Sequence, residues 1–414
     1  LSTINRNLIV NEKNIQNNFI NFYHKNSIQP YIPIDANGPW ILTSNSKIVY
    51  DCGGYGMLGF GHNHPKILSE LSKPQVMANM MTPSYSQYNF SEILKKELNN
   101  KYSKFITLNS GSEANTLAMR ISNIHKEKKP VFITMKGSFH GRTEKPALVS
   151  HSCLNKYKSN LSDYKNDIPV YYIEYNNLNS INDVFNEIKN KKEYPEITLF
   201  EPVQGEGNPG VKINLDFYNS LRENTNKLSG LLLADSVQSG IRCTGELSIT
   251  NYPGFENIEP PDFETFSKAL NSGQYPLSVL AINKTIEDRF VTGLYGNTMC
   301  GNPRALDVST TTLKLLTPEI KKNIVMSGKN LLNKFNKMKN KYHFIENVTG
   351  TGLLLAIHLN EEIPVSKIEK NIRVRGLNVI SGGKNALRFT PWFLISNEEI
   401  DLICEILENE FDNW

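Results

Sequence analysis

The stretch that decides the fold is LLLADSVQ, residues 231–238, in which four consecutive apolar residues end at Asp235. An uninterrupted apolar run of this length is typical of a parallel strand that is buried on both faces. Similar runs occur upstream at Phe105–Leu108, Val131–Met135 and Ile197–Glu201. Segments with helical periodicity separate these runs. The alternation predicts an α/β fold: a large domain with a mostly parallel central sheet flanked by helices, plus a smaller α+β domain.

The rest of the chain predicts further elements around this sheet. We predict a strand pair at Trp40–Tyr50, helices at Ser91–Asn99, Ser112–Lys126, Ala305–Leu316 and Ile320–Lys339, and a smaller α+β region at Phe344–Trp414. We expect residues 1–60 to form an N-terminal segment of the small domain, residues 61–305 the large domain, and residues 306–414 the C-terminal part of the small domain. The glycines of CGGYGMLGFGHNHP, residues 52–65, indicate backbone packed closely against another segment.

Composition and charge exclude several classes of protein. The net charge of +4 over 414 residues gives no basis for a nucleic-acid-binding surface. No window approaches 18 uninterrupted apolar residues, and Leu1–Asn11 lacks the apolar core of a signal peptide, so we expect neither a membrane span nor a signal peptide. The five cysteines are odd in number, widely spaced and without a CxxC pair. We therefore predict no metal site, and reduced thiols in the cytoplasm.

The first chemical signal is NSGSEAN, residues 109–115, between a predicted strand and a predicted helix. Its small residues let main-chain N–H groups face a phosphate, the helix N-terminus adds partial positive charge, and Ser112 can donate its hydroxyl. The alternative is an ordinary N-cap, because Ser followed by Glu begins many helices.

The second signal is GSFHGR, residues 137–142, just after the predicted strand Val131–Met135. An aromatic ring beside a glycine, here Phe139, can lie flat against a planar cofactor. The alternative is that Phe139 belongs to the hydrophobic core.

Asp235 and Lys268 are the third and fourth signals. A carboxylate at the end of a buried apolar strand is costly unless it meets a positive partner such as a protonated pyridine nitrogen. The alternative for Asp235 is a helix cap or an acceptor for main-chain N–H groups. Lys268 lies in FETFSKAL, residues 263–270, where burial can lower the pKa of the amine and make it nucleophilic enough to form an imine. The alternative is a lysine with a buried stem and a solvated ammonium.

These four signals, in this order on an α/β chain, resemble the class III aminotransferases of the fold-type I pyridoxal-phosphate superfamily, which includes ornithine, lysine-ε and 4-aminobutyrate aminotransferases. The resemblance covers roughly residues 30–400, and SKALNSGQYPLS (267–278) and EPVQGEGN (201–208) look most like ornithine- and lysine-ε-type members. It implies an enzyme that binds pyridoxal 5′-phosphate. Such an enzyme would transfer an amino group from an ω-amine or amino acid such as ornithine, lysine or 4-aminobutyrate to a keto acid, 2-oxoglutarate, by a ping-pong mechanism.

Carried onto the matching positions, the resemblance assigns contacts to the cofactor. Lys268 holds it as a Schiff base and shuttles the proton, while Asp235 pairs with the pyridine nitrogen. The other implied contacts are Gly111 and Ser112 at the phosphate, Phe139 stacked on the ring, His140 as a neighbouring support, and Gln238 near the 3′-oxygen.

A second phosphate segment is implied at GNTMCGNP, residues 296–303, with Thr298 as the hydroxyl donor. In the family the other subunit normally supplies this segment, so the resemblance implies a homodimer with shared active sites.

Three further residues are implied to contact the substrate. Arg388 matches the arginine that grips a carboxylate of 2-oxoglutarate or glutamate through its planar fork. Glu206 matches a glutamate that pairs with this arginine while an ω-amine donor is bound and releases it for the keto acid. A purely structural ion pair is the alternative for both residues. Tyr55 matches a substrate-contacting tyrosine of the ornithine enzymes.

The chain also departs from the family pattern. Ser236 stands where many relatives have an acidic residue, Ser112 where Thr is usual, Trp392 where a second proline is common, and Met299–Cys300 where smaller or aromatic residues occur. These changes leave the implied cofactor chemistry unaltered and bear on the shape of the substrate pocket. The same site could serve an aminomutase, epimerase, decarboxylase or phospholyase, and a non-catalytic binding module is the alternative from a different class.

Overall fold

The computed structural model describes residues 31–79, 81–123, 129–161 and 167–414. The stretch Leu1–Asn11 and the last part of the predicted helix Ser112–Lys126 lie outside the described residues. The strands, numbered in chain order, are β1 (Pro33–Asn37), β2 (Trp40–Thr43), β3 (Ile48–Asp51), β4 (Lys104–Leu108), β5 (Pro130–Met135), β6 (Val170–Ile173), β7 (Tyr194–Phe200), β8 (Leu231–Asp235), β9 (Phe263–Phe266), β10 (Ser278–Ile282), β11 (Ile345–Thr351), β12 (Leu354–Leu359), β13 (Leu377–Asn378), β14 (Ile380–Gly382) and β15 (Ala386–Phe389). The α-helices are α1 (Pro65–Ser72), α2 (Tyr85–Glu97), α3 (Gly111–Ser122), α4 (Glu144–Leu148), α5 (Leu154–Asn160), α6 (Leu178–Asn190), α7 (Leu215–Lys227), α8 (Pro303–Leu315), α9 (Pro318–Lys341), α10 (Val365–Val374) and α11 (Asn397–Phe411).

A seven-stranded sheet in the order β4–β10–β9–β8–β7–β5–β6 forms the centre of the molecule. The strands from β9 to β6 are parallel neighbours, whereas β10 pairs antiparallel with both β4 and β9. Every residue of β7, β8, β9 and β10 is buried. Alternate residues of β5 enter two separate hydrophobic clusters, one shared with α6 and α7 and the other with α3. The predicted mostly parallel sheet with helices on both faces is therefore confirmed.

Two smaller sheets lie beside the central one. The first has the order β1–β2–β3–β13, and the second has the order β11–β12–β15–β14. The parallel pairing of Tyr50 with Leu377 joins an early strand to a late one. The division of the chain into domains at residues 60 and 305 stays a prediction.

The glycine-rich stretch packs closely against the C-terminal region, as its sequence predicted. A Cβ atom on Gly59 would lie 2.3 Å from the Phe393 ring, and one on Gly61, which has a φ of +71°, would lie 2.6 Å from the main chain of Gly38. The Phe393 N–H donates to the Gly59 carbonyl at 2.7 Å. These approaches leave no room for larger residues.

The predicted helix Ser91–Asn99 was wrong at its start, because α2 begins at Tyr85. Ser84 and Gln87 form a capping box, in which each side chain satisfies a main-chain N–H group of the other residue. The sequence carries this signal at residues 84–87, SYSQ. Within the described ranges, no helix is both long enough and apolar enough to span a bilayer.

Candidate active site

A cavity of about 410 Å³ opens where several strands of the central sheet end. The segments that carried the four sequence signals follow β4, β5, β8 and β9, and these strands all point the same way. Reactive groups of α/β proteins gather at this edge of the sheet. The predicted cofactor residues that line the cavity are Gly111, Ser112, Phe139, His140, Asp235, Gln238 and Lys268.

The N-terminus of α3 forms one end of the cavity. Ser110 caps the helix and forms a capping box with Glu113. The first N–H groups of a helix have no partner within the helix, so those of Gly111 and Ser112 are available to an anion. A Cβ atom on Gly111 would lie 2.8 Å from the Val237 side chain, and one on Gly141 would lie 2.3 Å from the Ser112 hydroxyl. This close-packed cradle, with a hydroxyl beside it, suits a phosphate.

Asp235 ends β8 with only 4% of its surface exposed. Its Oδ2 accepts hydrogen bonds from Asn115 Nδ2 at 2.8 Å and faces His140 Nδ1 at 2.8 Å. Its Oδ1 accepts from the Val237 N–H at 3.1 Å. His140 is fixed in turn, because its Nε2 lies 3.2 Å from the Thr134 hydroxyl. The buried carboxylate is therefore held rigidly at the cavity wall.

Lys268 lies on the same cavity, at the start of the short 3-10 helix Lys268–Asn271. Its φ of +47° is in the left-handed region, which a non-glycine residue rarely adopts. Burial lowers the pKa of its amine, while the charge of Asp235 acts in the opposite direction. The lysine and the carboxylate thus line the same cavity.

Phe139 is half-buried and its ring faces the cavity. The Phe139 N–H donates to Glu201 Oε2 at 3.0 Å, and the Gly205 N–H donates to Glu201 Oε1 at 3.0 Å. Burial and, next, the charge of Asp235 raise the pKa of the Glu201 carboxyl to about 8. Glu201 therefore links the ring-bearing loop to the loop that carries Glu206.

Arg388 on β15 is completely buried. Its Nη1 donates to Glu206 Oε2 at 2.7 Å, to Gln238 Oε1 at 3.3 Å, and to the Gly205 carbonyl. Among the described residues, nothing accepts a hydrogen bond from its Nε or Nη2. The Arg388 guanidinium lies 5.3 Å from the centre of the Tyr55 ring. The three residues predicted to bind substrate are thus together, with one edge of the guanidinium free.

Thr298 is the predicted cofactor residue that does not line this cavity. It is exposed, in the segment between β10 and α8. The role of Thr298 toward a second subunit stays a prediction.

Three residues at the site have no role predicted from the sequence: Asn115, Glu201 and Arg142. Asn115 stands four residues after Gly111 and so faces the cavity from the same side of α3, a spacing that could have revealed it. Glu201 ends a buried apolar run as Asp235 does, which is the same signal. Arg142 lies with its guanidinium 5.2 Å from the centre of the Phe139 ring, which no sequence pattern indicated.

Comparisons with known proteins agree on one family. The model of the aminotransferase class-III family matches residues 22–411. The acetylornithine aminotransferase of Prochlorococcus marinus is 30% identical over 393 residues, which cover 91% of each chain. The ornithine aminotransferase 1 of Staphylococcus saprophyticus is 29% identical over 386 residues, covering 89% of this chain and 92% of its own.

Solved structures share the fold. An ornithine aminotransferase from Toxoplasma gondii, with partial occupancy of pyridoxal phosphate at its active site, has a TM-score of 0.82 to this chain. It is 20% identical and covers 96% of this chain and 93% of its own.

Proposed function

The chain belongs to the class-III aminotransferases, a family of pyridoxal-phosphate-dependent enzymes, and on this premise we propose that it moves an amino group from an ω-amine to a dicarboxylic keto acid. The donor is of the ornithine, N-acetylornithine, lysine or 4-aminobutyrate type, and the acceptor is 2-oxoglutarate. The names of the ornithine and acetylornithine relatives support this class of donor.

The residues of the cavity suit the cofactor. We propose that the N-terminus of α3 holds its phosphate, that Phe139 covers its ring, and that Asp235 carries the negative charge opposite its ring nitrogen. When bound, the cofactor supplies a ring that accepts the electron pair left behind when a proton leaves the amine-bearing carbon. Asn115 and His140 keep the Asp235 carboxylate in one orientation, at 2.8 Å each.

Lys268 is the proposed catalytic residue. Its lowered pKa makes the neutral amine more abundant, and the neutral amine is the form that binds a carbonyl covalently and takes up a proton. Because Lys268 and Asp235 line the same cavity, one bound molecule can touch both groups.

The observation that carries the acceptor assignment is the free edge of Arg388. Nε and Nη2 form the side of a guanidinium that binds a carboxylate with two parallel hydrogen bonds. A buried cation with two unused donors is costly, and a substrate carboxylate would satisfy both. Glu206 pairs with Nη1 at 2.7 Å, and this ion pair supports a role for Glu206 as the partner of Arg388 while an ω-amine donor is bound.

We further propose a homodimer in which Thr298 of one subunit reaches the phosphate of the other. A groove of about 460 Å³ runs beside the edge strand β4, lined by Gln87 of α2 and by Phe290 and Tyr295 of the segment that carries Thr298. Tyr85, at the start of α2, is 89% exposed. An apolar groove with exposed aromatic side chains beside it is typical of a protein interface.

A cytoplasmic location completes the proposal. All five cysteines are free in the structure, and four of them are buried. Free thiols persist in reducing compartments.

To test the proposed transfer of amino groups, the cofactor-loaded enzyme is mixed with a panel of amines and the visible absorbance of the bound cofactor is measured. We expect one ω-amine to change the spectrum and 2-oxoglutarate to restore it, with pyruvate less effective. If no amine changes the spectrum, the transfer of amino groups is contradicted. A product that forms without any keto acid would instead favour a mutase, epimerase, decarboxylase or phospholyase.

A further inference from the structure

Arg242 lies behind the substrate residues, and we propose that it is a positioning residue for the carboxylate pocket of Arg388 and Tyr55. The inference rests on the proposed function, because it concerns how that pocket recognises a dicarboxylate. Arg242 does not line the cavity that contains Lys268. Its side-chain donors face main-chain carbonyls, so it would act through the segments that it joins.

Arg242 is completely buried, and all its side-chain hydrogen bonds go to main-chain carbonyls. Nε and Nη2 donate to the Gly56 carbonyl at 3.3 and 3.2 Å. Nη1 donates to the Leu353 carbonyl at 3.3 Å and to the Pro391 carbonyl. One side chain thus holds three segments that are far apart in the sequence.

These segments carry the substrate residues. Gly56 directly follows Tyr55, and Pro391 lies three residues after Arg388 at the end of β15. Both carbonyls accept hydrogen bonds from Arg242, so Arg242 fixes the two segments relative to each other. It thereby sets the distance of 5.3 Å between the centre of the Tyr55 ring and the Arg388 guanidinium. The flat guanidinium carries five N–H donors in a rigid fork, so it can hold several carbonyls in fixed directions.

The arrangement is costly for stability, which argues for a specific role. A buried charge is normally paired with a carboxylate, but in the described part of the chain no ion pair includes Arg242. Burial accordingly lowers the pKa of Arg242 to about 10. The face of Phe393, 5.1 Å from the guanidinium, offers partial compensation.

Arg242→Lys tests the inference, because lysine keeps the charge but replaces the fork by a single ammonium. We expect the KM for 2-oxoglutarate to rise by about tenfold to about 100-fold, with kcat at saturating substrate within about twofold. The dissociation constant of glutarate, a dicarboxylate that cannot react, should rise in parallel. The visible spectrum of the bound cofactor should not change. A KM and a glutarate constant within about threefold of the wild-type values, or a loss of kcat at unchanged KM, would overturn the inference.

Two further variants separate positioning from general loss of stability. Arg222 is also buried but pairs with Asp262 and Glu259, so Arg222→Lys should lower the Tm and leave the KM within about twofold. Gly56→Ala disturbs the hydrogen bonds between Arg242 and the Gly56 carbonyl, since Gly56 has a φ of +81° and an added Cβ would lie 3.2 Å from Arg242 Nε. Gly56→Ala should also raise the KM for 2-oxoglutarate. If Arg242→Lys does not fold, Gly56→Ala tests the role of Arg242 in its place. If wild-type turnover does not depend on 2-oxoglutarate, the proposed function fails, and the glutarate constants still decide the role of Arg242.

Discussion

Lys268 experiences two opposing influences, and their balance can be measured. Burial lowers the pKa of its amine below the ordinary value of 10.5, and the Asp235 carboxylate partly reverses this effect. The rate at which cofactor-free enzyme captures pyridoxal phosphate should therefore rise with pH and reach half its maximum below pH 10.5. Asp235→Asn removes the stabilising charge, so we expect the midpoint to move to still lower pH.

The control for this titration is Asp35→Asn, at an exposed position on β1, which should leave the midpoint unchanged. Absorbance of the bound cofactor provides the measurement. A midpoint that moves upward in Asp235→Asn would contradict the stated effect of the Asp235 carboxylate on the pKa of Lys268.

The raised pKa of Glu201 predicts that the folded protein loses stability as the pH rises. Its folded-state pKa of about 8 lies above its ordinary value of 4.5, so between these values the folded state binds a proton that the unfolded state has lost. Its contribution to stability is therefore complete below pH 4.5 and disappears as the pH rises to about 8. Glu201→Gln cannot titrate, and the Tm of the cofactor-free variant should fall less between pH 5 and pH 8 than that of the wild type. Glu223→Gln, at an exposed position on α7, should follow the wild type.

At the scale of elements, α3 and α11 each begin with a capping box of Ser and Glu, but only α3 begins at the cavity. Ser110 and Glu113 begin α3 at the cavity, while Ser396 and Glu399 begin α11 elsewhere. Ser110→Ala and Ser396→Ala should each lower the free energy of unfolding by about 1 kcal/mol. Only Ser110→Ala should raise the dissociation constant of the cofactor, by about fivefold, because it loosens the turn that presents Gly111. Equal cofactor affinities in the two variants would contradict the phosphate assignment.

Elements marked by one clear sequence pattern, such as a continuous apolar run, could be predicted from the sequence. The continuous apolar runs of β7 and β8 are buried on both faces, and Asp235 at the end of β8 lines the cavity together with Gln238. The start of α2 at Tyr85 lies six residues before the predicted Ser91, because the capping box of Ser84 and Gln87 sets it. Arg242 could not be predicted at all, since its partners are main-chain carbonyls whose positions depend on the complete fold.

At the scale of the whole molecule, the proposed homodimer makes a testable claim about the groove beside β4. Tyr85→Lys places a charge on an exposed aromatic position, so we expect the mass in solution to fall from twice 46.9 kDa to 46.9 kDa. Cofactor retention should fall with it, because Thr298 would no longer reach a second subunit. Met326→Lys, at another exposed apolar position, on α9, should remain dimeric. A fully active wild-type monomer, measured by light scattering, would contradict the proposal.

The pairing of Tyr50 with Leu377 has a consequence for biosynthesis. A ribosome releases the chain from its N-terminus, so β3 must wait for more than 300 residues before its parallel neighbour emerges. Strand β4 waits similarly for β10, which separates it from the rest of the central sheet. During that interval unpaired strand edges are exposed to other nascent chains, which is the condition that favours misassembly and recruits chaperones.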